Sequence, residues 1–178
     1  MVDGSKILNF YDVRKKSVTK AGTMDKSEFM EIIQQYKVPL YRLAKGIVKN
    51  EHDTEDAINE TILKAYENLK KLKNKDSFKS WIMRILVNEC YGLINKKNKI
   101  DLQENMEVYK LTYEDKNIYE LMDEINKLDM DFRTVLILFY YEDMSIKAIS
   151  EVLNISQGTV KSRLSRAKNK LRGLLDKC

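Results

Sequence analysis

Apolar residues recur at intervals of three and four along most of this 178-residue chain, a spacing that restricts it to helical folds. Phe29, Ile32, Ile33 and Tyr36 form one stripe, and Leu40, Leu43, Ala44 and Ile47 a second. Pro39 between them predicts a break or kink, because its ring removes a helix hydrogen bond. Ala57, Ile58, Thr61, Ile62, Ala65 and Leu69 make a third stripe, with Asp53 as the expected N-cap. Phe78, Trp81, Ile82, Ile85 and Leu86 begin a fourth, with Ser77 placed to cap it. The run TVLILFYY has strand character on its own, but its neighbours Ile125, Leu128 and Phe132 keep helical spacing and favour a helix. Only one proline and six glycines punctuate the chain. An all-α fold is expected.

Two segments depart from this rhythm. Residues 99–117 set Lys99, Lys110 and Lys116 against Asp101, Glu104, Glu107, Glu114 and Asp115 with no sustained apolar face, the pattern of a solvated, flexible linker. Helical spacing resumes with Ile118, Leu121, Met122, Ile125 and Leu128. Residues 1–23 carry Lys6, Arg14, Lys15, Lys16 and Lys20 against Asp3 and Asp12 and read as a disordered arm; Met24 is an alternative translation start. The expected organisation is therefore an arm (1–23), a helical domain (24–98), a linker (99–117) and a second helical domain (118–178).

Cys90 and Cys178 show no paired spacing, which suits reduced thiols in the cytoplasm better than a disulfide or metal framework. The longest apolar run, Val135 to Tyr141, is far shorter than the roughly 20 residues that span a bilayer, so direct membrane insertion is not expected. The sequence suggests no cofactor or metal. His52 is the sole histidine, it lies among charged residues, and no glycine-rich phosphate loop is present, so a binding protein is expected rather than an enzyme.

The sharpest feature lies near the C-terminus. Between Ile118 and Leu153, Lys127, Arg133 and Lys147 face eight acidic residues (Glu120, Asp123, Glu124, Asp129, Asp131, Glu142, Asp143, Glu151). Between Gln157 and Arg172 there are six basic residues (Lys161, Arg163, Arg166, Lys168, Lys170, Arg172) and no acidic one. Val160, Leu164, Ala167, Leu171 and Leu174 step through the same stretch by four and three. One helix can thus bury an apolar stripe and turn a cationic face to a polyanion. Ahead of it, Ser145 caps a short helix that buries Ile149, Val152 and Leu153, with the small Ser150 at the crossing. Asn154 falls where a left-handed residue is needed, Ile155 plugs the corner, and Ser156 caps the basic helix. That order of parts is a helix-turn-helix, whose second helix enters the major groove.

The stretch IKAISEVLNISQGTVKSRLSRAKNKLR closely resembles region 4 of the sigma-70 family, especially its extracytoplasmic-function branch. The resemblance implies recognition of the −35 promoter element. By position, Lys161, Ser162, Ser165 and Arg166 are implied at or near base edges, with Arg163 on backbone phosphate. The chemistry agrees, since lysine and arginine donate to guanine acceptors and serine adapts to several bases. Asn154 stands where the family usually has glycine.

YKVPLYRLAKGIVKNEHDTEDAINETILKAYENL resembles region 2 of the same family, in which Asp56, Asn59 and Glu60 match the motif that binds core RNA polymerase. Glutamine is commoner in the family than Asn59. SFKSWIMRILVNECYGLINKKNK resembles the segment that melts and reads the −10 element. Lys70, Lys71, Lys73, Lys75 and Lys79 precede it and Lys96, Lys97 and Lys99 close it, cationic flanks suited to a single strand. The resemblance implies Asn88 as a contact to that strand, assisted by Lys73, Lys75, Lys96 and Lys97. Trp81 is tempting for base stacking, but its spacing with Phe78, Ile82 and Ile85 places it in the core. Many relatives carry aspartate at the position of Gly92.

Region 2 before region 4, joined by a linker, is more specific than a lone helix-turn-helix. It implies an alternative sigma factor with two small helical domains that recognises −35 and −10 elements, and within the branch a sigma-V-like envelope-stress regulator of low-GC bacteria. The implied partners are core RNA polymerase (clamp helices of the largest subunit, flap of the second-largest), promoter DNA and an anti-sigma factor, often membrane-anchored. The competing expectation is a helix-turn-helix regulator that acts without polymerase.

Overall fold

A computed structural model describes residues 24–72, 74–100 and 124–176. All regular structure among them is helical. The arm at 1–23, most of the expected linker, the resumed helical spacing at Ile118, Leu121 and Met122, and Lys73 lie outside the described residues.

Helix α1 runs Lys26–Val48 and opens with a capping box: the Asp25 carboxylate accepts from the Glu28 N–H, and the Glu28 carboxylate accepts from the Asp25 N–H. Pro39 does not break it, contrary to expectation. The carbonyl that loses its donor belongs to Gln35, an exposed residue, so water can take its place, while the buried Ile33, Leu40 and Leu43 anchor both halves. Helix α2, Glu51–Glu67, is capped by Asn50 rather than by the expected Asp53. Asn50 accepts from the Asp53 N–H at 2.8 Å, which puts Asp53 in the first turn, 7% exposed and held by Lys97 at 2.7 Å. The buried face of α2 is small: Thr54, Ala57, Thr61 and Ala65. Both threonine hydroxyls donate to carbonyls four residues back (2.6 Å each), so neither is left unsatisfied on burial.

Two 3₁₀ turns, Leu69–Lys71 and Lys75–Ser77, lead into helix α3, Phe78–Ile100. Here Asn74 supplies the cap, accepting from the Asp76 N–H at 2.9 Å, whereas the expected cap Ser77 donates its hydroxyl to the Asn74 carbonyl. Phe78, Ile82, Met83, Leu86, Val87 and Cys90 face the core. Trp81 is half-buried against Phe78, as a core residue should be.

The second module contains helix α4, Met130–Leu136, which continues as a π-helical turn, Ile137–Tyr141, then α5, Ile146–Leu153, and α6, Gln157–Leu175. Ser145 accepts from the Ala148 N–H and Ser156 from the Thr159 N–H, so both expected caps are present. Asn154 is left-handed (φ 53°, ψ 46°) and Ile155 is half-buried in the corner. The strand-like run is helical after all. Thr134 to Leu138 are all buried because α4 and its π turn are covered on one side by α5 and α6 and on the other by α1.

That last contact joins the two modules. α1 packs on α4 and its π turn, and α3 packs on α5, so the buried residues of both modules form one continuous core. The centre of the junction is Arg133, 2% exposed, whose Nε donates to the Gly46 carbonyl in the last turn of α1 while Nη1 donates to the carbonyls of Leu128 (2.8 Å) and Asn126 (3.2 Å). Burial pushes its pKa down to about 10. At the rim Arg42 pairs with Glu142 at 2.7 Å and Lys79 donates to the Glu142 carbonyl.

The left-handed turn residue gives a direct test. Asn154→Gly should leave stability level or slightly raised. Asn154→Val should lower it by about 1–2 kcal/mol, the cost of a branched residue in that conformation. Urea unfolding of the two variants beside the parent checks this.

Candidate nucleic-acid and polymerase interfaces

Helix α6 presents the first surface. Val160, Leu164 and Ala167 are buried against α4 and α5, which turns Lys161, Ser162, Ser165 and Arg166 outward together. These four expected residues are exposed, and Lys161 and Arg166 have no acidic partner among the described residues. The Ser162 hydroxyl donates to the Thr159 carbonyl, leaving its oxygen lone pairs outward. Arg163 stands apart. It points back into the module and its Nη2 lies 2.5 Å from the Asp131 carboxylate. Lys170 is likewise held by Asp129 at 2.6 Å, holding that carboxyl below its ordinary range, while Lys168 lies over the rings of Phe139 and Tyr140. Lys161 and Arg166 therefore offer open charge toward the end that a helix-turn-helix inserts into a groove, while Arg172 is exposed near the other end of α6. Asp129 and Asp131 escape a reading of the sequence, because local spacing carries no signal for a pair formed across 30 or 40 residues.

The second surface is a groove of about 530 Å³ between α2 and α3, lined by Asp56, Asn59, Glu60, Leu63, Lys64 and Glu89, with Gly92, Leu93 and Lys96 on the far wall. Asp56, Asn59 and Glu60 are exposed on one face of α2, as their spacing requires. Lys64 bridges Glu60 (3.2 Å) and Glu89 (2.7 Å), and the Glu89 contact is the main reason its pKa is raised. Asn59 and Leu63 also border an apolar slot of about 280 Å³ with Phe29, Met30, Ile62 and Tyr66. Met30, Leu63 and Tyr66 are unusually exposed for their type, so the polar groove and the apolar slot form one continuous surface. Leu63 and Tyr66 were detectable in the sequence as apolar residues off the buried stripe of α2.

The third surface lies on α3. Asn88 is exposed, but the residues expected beside it are dispersed. Lys75 pairs with Glu28 at 2.9 Å, Lys96 lines the groove with Asp56 and Glu60, and Lys97 is bound to Asp53. Nine residues separate Asn88 from Lys97, half a rotation of the helix, so those two point opposite ways. Arg84, Tyr91 and Asn95 do share the face of Asn88, through steps of four, three and four. This stripe was legible as helical spacing once the buried face was known. A Cβ at Gly92 would meet nothing within 4 Å, so the aspartate common in relatives would fit there.

Among the described residues no helix is long and apolar enough to cross a membrane, and no cluster of three potential ligands could hold a metal. His52 is largely exposed and lies 3.1 Å from Asp56.

The Sigma-70 region 2 family model matches residues 32–100 and the Sigma-70, region 4 model matches residues 118–171. The chain is 32% identical over 171 residues to RNA polymerase sigma factor SigV of Bacillus subtilis, a match covering 93% of this chain and 98% of that one. It is 30% identical over 176 residues to the ECF RNA polymerase sigma factor SigW of the same organism, covering 89% and 94%. In fold it is similar to the sigma factor RpoE from Bartonella quintana, solved with the anti-sigma factor NepR (TM-score 0.74, 24% identity, 84% of this chain and 98% of that one). It is also similar to CnrH, solved with the cytosolic domain of CnrY (TM-score 0.64, 23% identity, 85% and 90%).

The Arg163–Asp131 pair yields a quantitative expectation. Asp131→Asn should release Arg163, tighten non-specific duplex binding and steepen the slope of log K against log salt by about 0.9, one added phosphate contact. Fluorescence anisotropy over a salt series reads both.

Two region-specific helical modules in family order, with near full-length likeness to SigV and SigW, show that the chain belongs to the sigma-70 family, in its extracytoplasmic-function branch, and is an alternative sigma factor directing transcription initiation.

Proposed function

We propose that α6 reads the −35 element in the major groove through Lys161, Ser162, Ser165 and Arg166, with Arg163 joining a phosphate when it exchanges Asp131 for DNA. The observation carrying this is the outward cationic face on the N-terminal half of the helix, free of acidic partners among the described residues. Asn88 on α3 contacts the single strand of the −10 element. Lys75 and Lys96 assist from its flanks, as Lys73 would from outside the described residues, and Lys97 contributes only if it leaves Asp53.

Asp56, Asn59 and Glu60, with the apolar slot beside them, receive the clamp helices of the polymerase's largest subunit, and the second module meets the flap of the second-largest. The groove is acidic at its rim and apolar at one end, which suits a basic amphipathic helix. The domain limits proposed are 24–98 and 118–178, joined by a linker at 99–117 and preceded by an arm at 1–23. Each module binds weakly alone, and the tether raises the effective concentration of the second contact once the first is made. The chain performs no chemical step; its effect is to place polymerase.

An anti-sigma factor is the proposed regulator. Its support is that RpoE, whose fold this chain shares, was solved with the anti-sigma factor NepR, and that CnrH, of the same fold, was solved with the cytosolic domain of CnrY. A membrane anchor on that partner would hold this cytoplasmic chain near the envelope until stress releases it.

Run-off transcription with core polymerase on a pool of promoters from the source genome tests the reading as a whole: discrete transcripts are expected, and none would sink it. Arg166→Ala should weaken use of the cognate promoter by about 1–3 kcal/mol, with other promoters of the pool as reference. Charge reversal at Asp56 and Glu60 should reduce capture of core polymerase and spare duplex binding by the second module. Equal loss of both would indicate misfolding.

A further inference from the structure

Helix α6 opens on a polar side chain that none of the contacts above employs. Gln157 is its first residue, it is exposed, and its carboxamide has no partner among the described residues. Its polar neighbours are occupied. The Ser156 hydroxyl accepts from the Thr159 N–H at 3.0 Å and pairs with the Thr159 hydroxyl at 2.9 Å, so the two satisfy each other. Between Gln157 and Arg166 no other side chain is a carboxamide.

That chemistry is distinctive on this face. Lys161 and Arg166 only donate, which suits the two acceptors, O6 and N7, that guanine turns to the major groove. Adenine presents one acceptor, N7, beside one donor, the N6 amino group. A carboxamide matches both at once: its NH2 donates to N7 while its oxygen accepts from N6. Ser162 and Ser165 have a single hydroxyl each, and that of Ser162 already donates to the Thr159 carbonyl. Gln157 precedes Lys161 by about 6 Å along the helix axis, and a base-pair step is about 3.4 Å. The base it meets is therefore about two steps from the one that Lys161 faces.

The next residue makes a close approach feasible. Gly158 is exposed, and a Cβ there would meet only the Ser156 Oγ, at 3.6 Å, an ordinary contact. Alanine would fit and is the better helix former, so nothing among the described residues calls for glycine. The missing side chain leaves room outside the helix, where the wall of a groove would pass.

We propose that Gln157 is a specificity-determining residue of the −35 contact: its carboxamide reads an adenine, and Gly158 lets the leading turn of α6 come near enough. Resting on the promoter reading above, this adds a base that the four residues named there do not select.

The test uses the full chain assembled with core polymerase, on a promoter recovered from the run-off pool and randomised across its upstream element. Templates retained by the holoenzyme are sequenced. The parent should enrich adenine at one position by about fivefold or more, the discrimination of one bidentate pair. Gln157→Ala should erase that preference and leave the others, whereas Lys161→Ala should relax a different position, about two base pairs away. Gln157→Arg should turn the adenine preference into one for guanine. Gly158→Ala should lower retention of every template without lowering the urea midpoint of the chain. A parent with no adenine preference, a preference that survives Gln157→Ala, or a loss spread evenly over all positions would each overturn the proposal and leave the promoter reading standing. Undiminished retention in Gly158→Ala would overturn the role given to that glycine. If no promoter is recovered, or no sequence is enriched in the parent, the promoter reading itself fails and takes this inference with it.

Discussion

A single guanidinium ties the molecule together. Arg133 is a charge in the core, and in a low-dielectric interior it persists only because three carbonyls surround it. Two belong to the short segment before α4, at Asn126 and Leu128. The third, at Gly46, is one of the four carbonyls that the end of any helix leaves without an intrahelical donor. α1 thus finds its C-terminal partner in the other module, and the negative end of its dipole meets a cation. Docking supplies the third of these partners.

That junction explains several features that look unrelated. Gly46 has no side chain where Ile137 presses on the helix, so backbone and side chain approach closely. Glu142 is 2% exposed yet holds Arg42 with its carboxylate and Lys79 with its carbonyl. Thr134 to Leu138 are buried in succession because neighbours cover both sides of that segment. The acidic residues at the start of α4 act elsewhere. Asp129 and Asp131 neutralise Lys170 and Arg163, whereas Lys161 and Arg166 stay open. The junction and the proposed DNA-reading face therefore both depend on the same short helix.

The surface proposed for polymerase is independent of the junction. It lies between α2 and α3, where small residues let the helices approach and push the long polar ones outward. Its apolar extension through Met30, Leu63 and Tyr66 is exposed to solvent, and the proposed partner helix would cover it.

Much of this was legible in the residues themselves. Helical spacing marks every helix of the described chain except at its ends, and the turn with Asn154 between the caps Ser145 and Ser156 forms as local chemistry dictates, since capping and left-handed backbone depend on neighbours three or four positions away. The order of the two family motifs carried the function. Local rules failed where a nearby competitor was stronger: Asn50 displaced Asp53, Asn74 displaced Ser77, and Pro39 stayed within a helix anchored on both sides. What only the tertiary structure decided is which charges are spoken for and which faces are covered. Lys97 held by Asp53, Arg163 by Asp131, Tyr91 beneath α4 and Arg133 against Gly46 all join residues far apart in the chain, and no local periodicity encodes a distance that arises only when separate helices meet.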